Sequence, residues 1–125
     1  MAHAYHHALS SAKKFGGIAS DYQAIHDFLD SSKSAYADFR HRALLHNTFG
    51  IFICEKVFGH FITNSNGKQI PVRVIAEQHV REDCNGHIPT PQEWLDTIQS
   101  KPWMNPSPAY QRQLMTEIEQ CSPSN

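Results

Sequence analysis

Tyr5, Ala8, Leu9 and Ala12 recur at helical spacing, which predicts a first helix over about residues 3–15. Lys13 and Lys14 suit the negative end of its dipole, and Gly16-Gly17 stops it. Ser20-Asp21-Tyr22-Gln23 fits a capping box, and the stripe Tyr22, Ile25, Phe28 and Leu29 carries a second helix to about residue 32, leaving His26 on its flank. A long third helix is predicted over 34–58, ended by Gly59. Ala43, His46, Phe49, Gly50 and Ile53 share one side of it and His41, Leu45, Thr48, Phe52 and Glu55 another, so it is expected to pack on more than one face. Gly50 costs about 1 kcal/mol relative to alanine in a helix interior, which flags a close approach or a kink there.

The period then changes. His60-Phe61-Ile62-Thr63, the turn cluster Asn64-Ser65-Asn66-Gly67 and Lys68-Gln69-Ile70-Pro71-Val72 read as a hairpin, with Asn-Gly suited to a type I′ turn and Pro71 confined to an edge. Residues 74–84 return to helical spacing, with Gly86 beyond their end. Thr90-Pro91-Gln92-Glu93 is a capping box with proline at the first helical position, and it places Trp94, Leu95 and Ile98 on a buried face. Pro102, Pro106 and Pro108 mark an irregular connection around Trp103 and Met104, followed by a weaker helix over 109–120 and a loose tail. The fold class is mainly α (α+β): one compact helical domain over 1–104 with a small β-hairpin near residues 60–72, then a C-terminal helix and flexible tail over 105–125.

Composition narrows the function classes. A chain of 125 residues supports one domain, and one of this size buries roughly two thirds of its unfolded surface. Lys plus Arg (11) against Asp plus Glu (12) leaves a formal net charge of −1, which argues against a broad nucleic-acid footprint despite the small Arg40-His41-Arg42 cluster. Cys54, Cys84 and Cys121 are odd in number and widely spaced, and the longest strongly apolar run, 49–54, is far short of a membrane span. No apolar leader is present in the sequence, so the expected setting is the cytoplasm, with no membrane partner. G-x-S-x-G, phosphate-loop and dinucleotide patterns are absent, so no nucleophile elbow and no nucleotide cofactor are predicted.

The abnormal quantity is histidine, nine residues, and neutral imidazoles with carboxylates make metal centres. Candidates are His26, Asp27 and Asp30 on the second helix, His41, His46 and Glu55 on the third, and Glu77, His79, Glu82 and Asp83 on the fourth. His26 with Asp30, and His79 with Asp83, are four apart and share a face. His41 and His46 are five apart, about 140° around an ideal helix, and cannot serve one ion without a bend. The predicted ligands are His26, Asp27, His41, His46, His79 and Asp83 around zinc, manganese or iron, with Glu55 or Glu77 as general base in a metal-dependent hydrolysis. Plainer readings stand beside these: His26 as an exposed helix residue beside Asp30, His46 as a hydrogen-bonded core residue, His79-Asp83 as a solvated pair, and His3 with His7, four apart on a terminal helix, as an incidental metal-binding pair without a role in the cell.

The pair His26-Asp27 resembles the mark of the HD phosphohydrolases, helical metal enzymes in which His7 and Asp83 would fill the outer positions. Composition alone gives about 0.4 His-Asp pairs in such a chain, so the pair carries little weight. A broader resemblance lies in Asp38-Phe39-Arg40-His41-Arg42-Ala43-Leu44-Leu45-His46-Asn47 and Glu55-Lys56-Val57-Phe58-Gly59, with Pro71-Val72-Arg73, Glu77-Gln78-His79-Val80, Glu82-Asp83, Ile88-Pro89-Thr90 and Trp94-Leu95. These blocks, over about 3–104, resemble a small uncharacterised family of bacteria and their phages, which implies one intracellular domain, phage or prophage encoded, and assigns no activity. Two functions therefore compete: a metal-binding domain acting on a small-molecule substrate, and a non-enzymatic phage-type interaction or inhibitor protein that binds a host component through its Trp103-Met104 segment.

Overall fold

The structure, a computed structural model, describes residues 3–121. Its helices are α1 (Ala4–Phe15), α2 (Gln23–Asp30), α3 (Arg42–Leu45), α4 (Thr48–Phe58), α5 (Val72–Asp83), α6 (Pro91–Leu95) and α7 (Pro108–Cys121). An antiparallel hairpin, β1 (Phe61–Thr63) and β2 (Gln69–Pro71), pairs Phe61 with Pro71, Ile62 with Ile70 and Thr63 with Gln69. The mainly α (α+β) architecture follows: α1, α2, α4 and α5 pack together, with α2 and α5 each touching α1 and α4. Tyr22, Ile25 and Leu29 from α2 and its entry, Ile51 and Cys54 from α4, and Val72, Ile75, Ala76 and Val80 from α5 form the apolar core. Burial raises the Cys54 thiol to about 12, which makes it a packing group without nucleophilic character. Among the described residues no helix is long and apolar enough to cross a membrane.

The principal correction concerns the long third helix. In place of one helix over 34–58 the chain makes short 3₁₀ turns at Ser31–Ser34 and Phe39–His41, then α3, then a break at His46 (φ −86°, ψ 64°) before α4. Asn47 causes the break. Its backbone is extended, its side-chain carbonyl accepts the Gly50 N–H at 2.8 Å, and its amide donates to the Ala43 carbonyl at 3.0 Å, so one side chain caps α4 and holds the end of α3. Gly50 is needed because a Cβ there would fall on the Leu45 carbonyl, 2.5 Å from its carbon.

Other differences are local. The Ser20 capping box is not formed; Asp21 instead accepts the Ile18 N–H and, across to the hairpin loop, the Ser65 N–H and hydroxyl. The hairpin turn has only Gly67 at positive φ (79°), with Asn64 accepting the Gly67 N–H, so it is a turn with a one-residue bulge and not type I′. The Thr90–Glu93 capping box is present, yet Leu95 and Ile98 are exposed and only Trp94 is half-buried. Phe49 and Phe52 are likewise exposed, so α4 packs on one side. On α1 the covered residues are His7, Ala8 and Ser11, while Tyr5 and Leu9 face solvent. α7 begins at Pro108 and has no buried residue; the tail expected at 122–125 lies outside the described residues.

Candidate metal centre

Polar side chains occupy the space where α1, α2, α5 and the α3–α4 break converge, and His7, His26, His41, His46 and His79 are all buried there. Each arrives by a local rule. His79 and Asp83 are one turn apart on α5, Asp30 ends α2, and the turn at His46 swings its ring inward where a continuous helix would have carried it away. The result is a compact set of four: Asp30, His46, His79 and Asp83 present one ligand atom each, all within 4.8 Å of one another. His46 Nε2 lies 2.9 Å from Asp83 Oδ2 and 3.7 Å from Asp30 Oδ1. His79 Nε2 lies 3.1 Å from Asp30 Oδ1 and 3.3 Å from Asp83 Oδ2. Four ligand atoms held about 2.05 Å from a tetrahedral ion are separated by about 3.3 Å, so these edges match a coordination shell.

Charge argues in the same direction. Two buried carboxylates share the site, and among the described residues the one ammonium or guanidinium paired with them is Lys33, 3.3 Å from Asp30 Oδ2. Burial opposes ionisation of Asp30 and Asp83, but the surrounding imidazoles outweigh it and hold both carboxyls below their usual range. Burial drives His46 below its ordinary value despite the hydrogen bond to Asp83, which keeps the ring neutral and available as a ligand. His46 Nδ1 is buried without a hydrogen-bond partner.

Around this set stands a polar shell. His26 Nδ1 meets His79 Nδ1 at 2.9 Å and His26 Nε2 meets Ser11 Oγ at 2.7 Å, while Ser11 donates to Gln78 Oε1 at 2.7 Å. Burial, then the neighbouring His79 and His7, push His26 down to about 3. His7 Nδ1 hydrogen-bonds Glu82 Oε1 at 2.7 Å and its Nε2 lies 3.2 Å from Asp83 Oδ1. Burial lowers His7, but those carboxylates outweigh it and the imidazole sits above its usual value. The polar partner of a ligating imidazole fixes its tautomer and ring plane, which is the place His26 holds behind His79.

Of the six ligands anticipated from the sequence, His46, His79 and Asp83 are brought together. His26, anticipated as a ligand, is buried behind them and meets His79 through its Nδ1, so it stands outside the set of four. His41 is buried next to His46, ring centroids 5.4 Å apart, with Nδ1 on Ser32 Oγ at 2.9 Å, so it adjoins the set without joining it. Asp27 is exposed and accepts from Gln23 Nε2 at 2.9 Å, because adjacent helical residues diverge by about 100°; the His-Asp pair of the HD enzymes is therefore not presented to the centre. Glu55 and Glu77 lie on another face with Arg73, Glu77 Oε1 accepting from Arg73 Nε at 2.8 Å, since two residues back from His79 is about 200° around α5. Asp30 and His7 belong to the site but not to the anticipated six. The i, i+4 pairing of His26 with Asp30 pointed to the first, and nothing in the periodicity of α1 pointed to the second.

Buried imidazoles and carboxylates on a small helical scaffold define a histidine/carboxylate protein whose polar core can hold a metal ion. The chain belongs to the DUF6915 family, a domain of unknown function, which matches over residues 2–104. No curated protein and no solved structure matches it.

Proposed function

We propose that this domain binds one divalent transition-metal ion through Asp30, His46, His79 and Asp83. The carrying observation is the set of four edges, 2.9, 3.1, 3.3 and 3.7 Å, between two imidazole nitrogens and two carboxylate oxygens that converge on one point, the two shortest also being hydrogen bonds. Two nitrogens and two oxygens suit zinc, iron or manganese. A bound ion of this kind lowers the pKa of a coordinated water and so supplies hydrolytic chemistry. The protein's own part is to favour neutral His46 by burial and to hold the two carboxylates ionised. His7, poised between Glu82 and Asp83, is an adjoining group able to carry a proton, whereas Glu55 and Glu77 lie on another face. A cytoplasmic setting and a phage or prophage origin remain part of this reading.

Elemental analysis of untagged protein tests it: about one zinc, iron or manganese per chain, lost in Asp30→Asn and His46→Ala and retained in Asp27→Asn. Loss in all three, or metal-free wild type after loading and desalting, overturns it. The second reading, a non-enzymatic interaction protein binding a host component, is favoured by one observation: Trp103 is 76% exposed beside the uncovered α7 stripe of Tyr110, Leu114 and Met115. Metal-free protein whose melting temperature ignores both metal and chelator is the result that selects it.

A further inference from the structure

Asp83 does more than face the four-atom set: it also lines a cavity of about 460 Å³ bounded by Arg42, His87, Pro89, Glu93 and Trp94. That volume falls within the range of small-molecule sites. Its chemistry is lopsided. Arg40 is paired with Asp38, and Arg73 and Arg81 with Glu77, but Arg42 has no carboxylate partner among the described residues, and its Nε is buried without a hydrogen bond. Neither acid in the wall is free to take it. Glu93 Oε2 is engaged by His87 Nε2 at 2.9 Å and by the Thr90 N–H at 3.0 Å, and Asp83 is held by the imidazoles. Trp94 supplies the apolar side, fixed by its indole N–H, which donates to the His46 carbonyl at 3.0 Å.

We infer that this cavity is the substrate site, and that it takes a small organic oxyanion: a phosphate or carboxylate group gripped by Arg42, carried on a flat apolar body that lies against Trp94. The assignment rests on the metal reading above, because Asp83 belongs to both sites. A guanidinium suits an oxyanion better than an ammonium would, since its planar fork of N–H groups meets two oxygens at once. The same anion would also be attracted by a metal ion held at Asp83, so Arg42 and the ion would favour negative charge in the same cavity.

The experiment uses the full chain carrying Trp103→Phe, loaded with zinc or manganese, so that Trp94 is the sole indole. Metal uptake is first measured by calorimetry. Phenyl phosphate, benzoate and inorganic phosphate are then titrated separately while Trp94 emission is followed. A saturable change with phenyl phosphate or benzoate, weakened roughly tenfold or more in Arg42→Gln and partly restored in Arg42→Lys, is the expected result; the preferred probe distinguishes phosphate from carboxylate. In the chain retaining Arg42, benzyl alcohol must leave the emission unchanged, which keeps the assignment open to refutation should Arg42→Gln fold poorly. Uptake of metal with no response to any anion, or equal responses to benzyl alcohol and phenyl phosphate, overturns this assignment alone. Absence of metal uptake overturns the metal reading and this assignment with it.

Discussion

Gly50→Ala is the sharpest perturbation the fold offers, because two views of the same residue predict opposite signs. In an uninterrupted helix the change removes the glycine penalty and stabilises by about 1 kcal/mol. In the observed structure the new Cβ would sit on the Leu45 carbonyl, 2.5 Å from its carbon and 2.7 Å from its Cα. Ordinary carbon–carbon contact is about 3.5 Å, so backbone must move by about 1 Å, and no rotamer can absorb it. Overpacking costs about 1–3 kcal/mol when side chains can adjust; a backbone clash belongs at the top of that range, about 3 kcal/mol. At about 4 °C per kcal/mol this lowers the melting temperature by about 12 °C. Thermal and urea melts of metal-free wild type and variant read the difference directly. Moving Leu45 also moves His46, so metal affinity should fall in the same variant. A melting temperature equal to or above wild type refutes the break at His46 and, with it, the route by which that imidazole reaches the centre.

At a free metal concentration one hundred times Kd, the ion adds about 2.7 kcal/mol, so chelation should lower the melting temperature by about 10 °C; an unchanged value rejects the site. His26, held at about 3 when folded, takes up a proton near 6.5 once unfolded, so its contribution is intact above pH 6.5 and is lost as the pH falls toward 3. Metal-free wild type should therefore lose up to about 1.4 kcal/mol per pH unit more than His26→Gln between pH 6 and 4.5, and parallel urea-derived profiles would contradict this. Deleting everything after residue 106 should leave the melting temperature within about 1 °C, since no residue of Pro108–Cys121 is buried; a fall of several degrees shows that α7 docks on the domain.

Helix existence was legible where a single apolar stripe met a clear stop, as at Gly16-Gly17, Gly59 and Gly86, and the Thr90–Glu93 box was legible to the residue. The break at Asn47 was not, because apolar residues run through it on both sides and their period hides a cap that only the Asn47-to-Gly50 bond reveals. Taken as one helix, that stretch points His41 and His46 in different directions and leaves them as alternatives. His79 with Asp83 could be seen as a pair from spacing, and His26 with Asp30 likewise. What spacing cannot convey is which face goes inside. On α1 the buried side is His7, Ala8 and Ser11, so a periodicity that counts Tyr5 and Leu9 rotates that helix the wrong way; on α2 the apolar stripe does face the core, but it gives no sign that His26 and Asp30 are buried beside it.

The four proposed ligands come from three separated stretches of chain, Asp30 from the end of α2, His46 from the break, and His79 with Asp83 from α5. Only the last pair is near in sequence, so an unfolded chain offers an ion little to grasp, and closing the intervening loops must be achieved by the apolar core before any chelate exists. An ion bound there would act as a lock fitted to a finished cage and not as a seed for collapse, unlike small fingers that fold around zinc. On the metal reading, a cell short of the ion would accumulate folded, unloaded protein, and supply of the ion, not synthesis of the chain, would set how much of it is loaded.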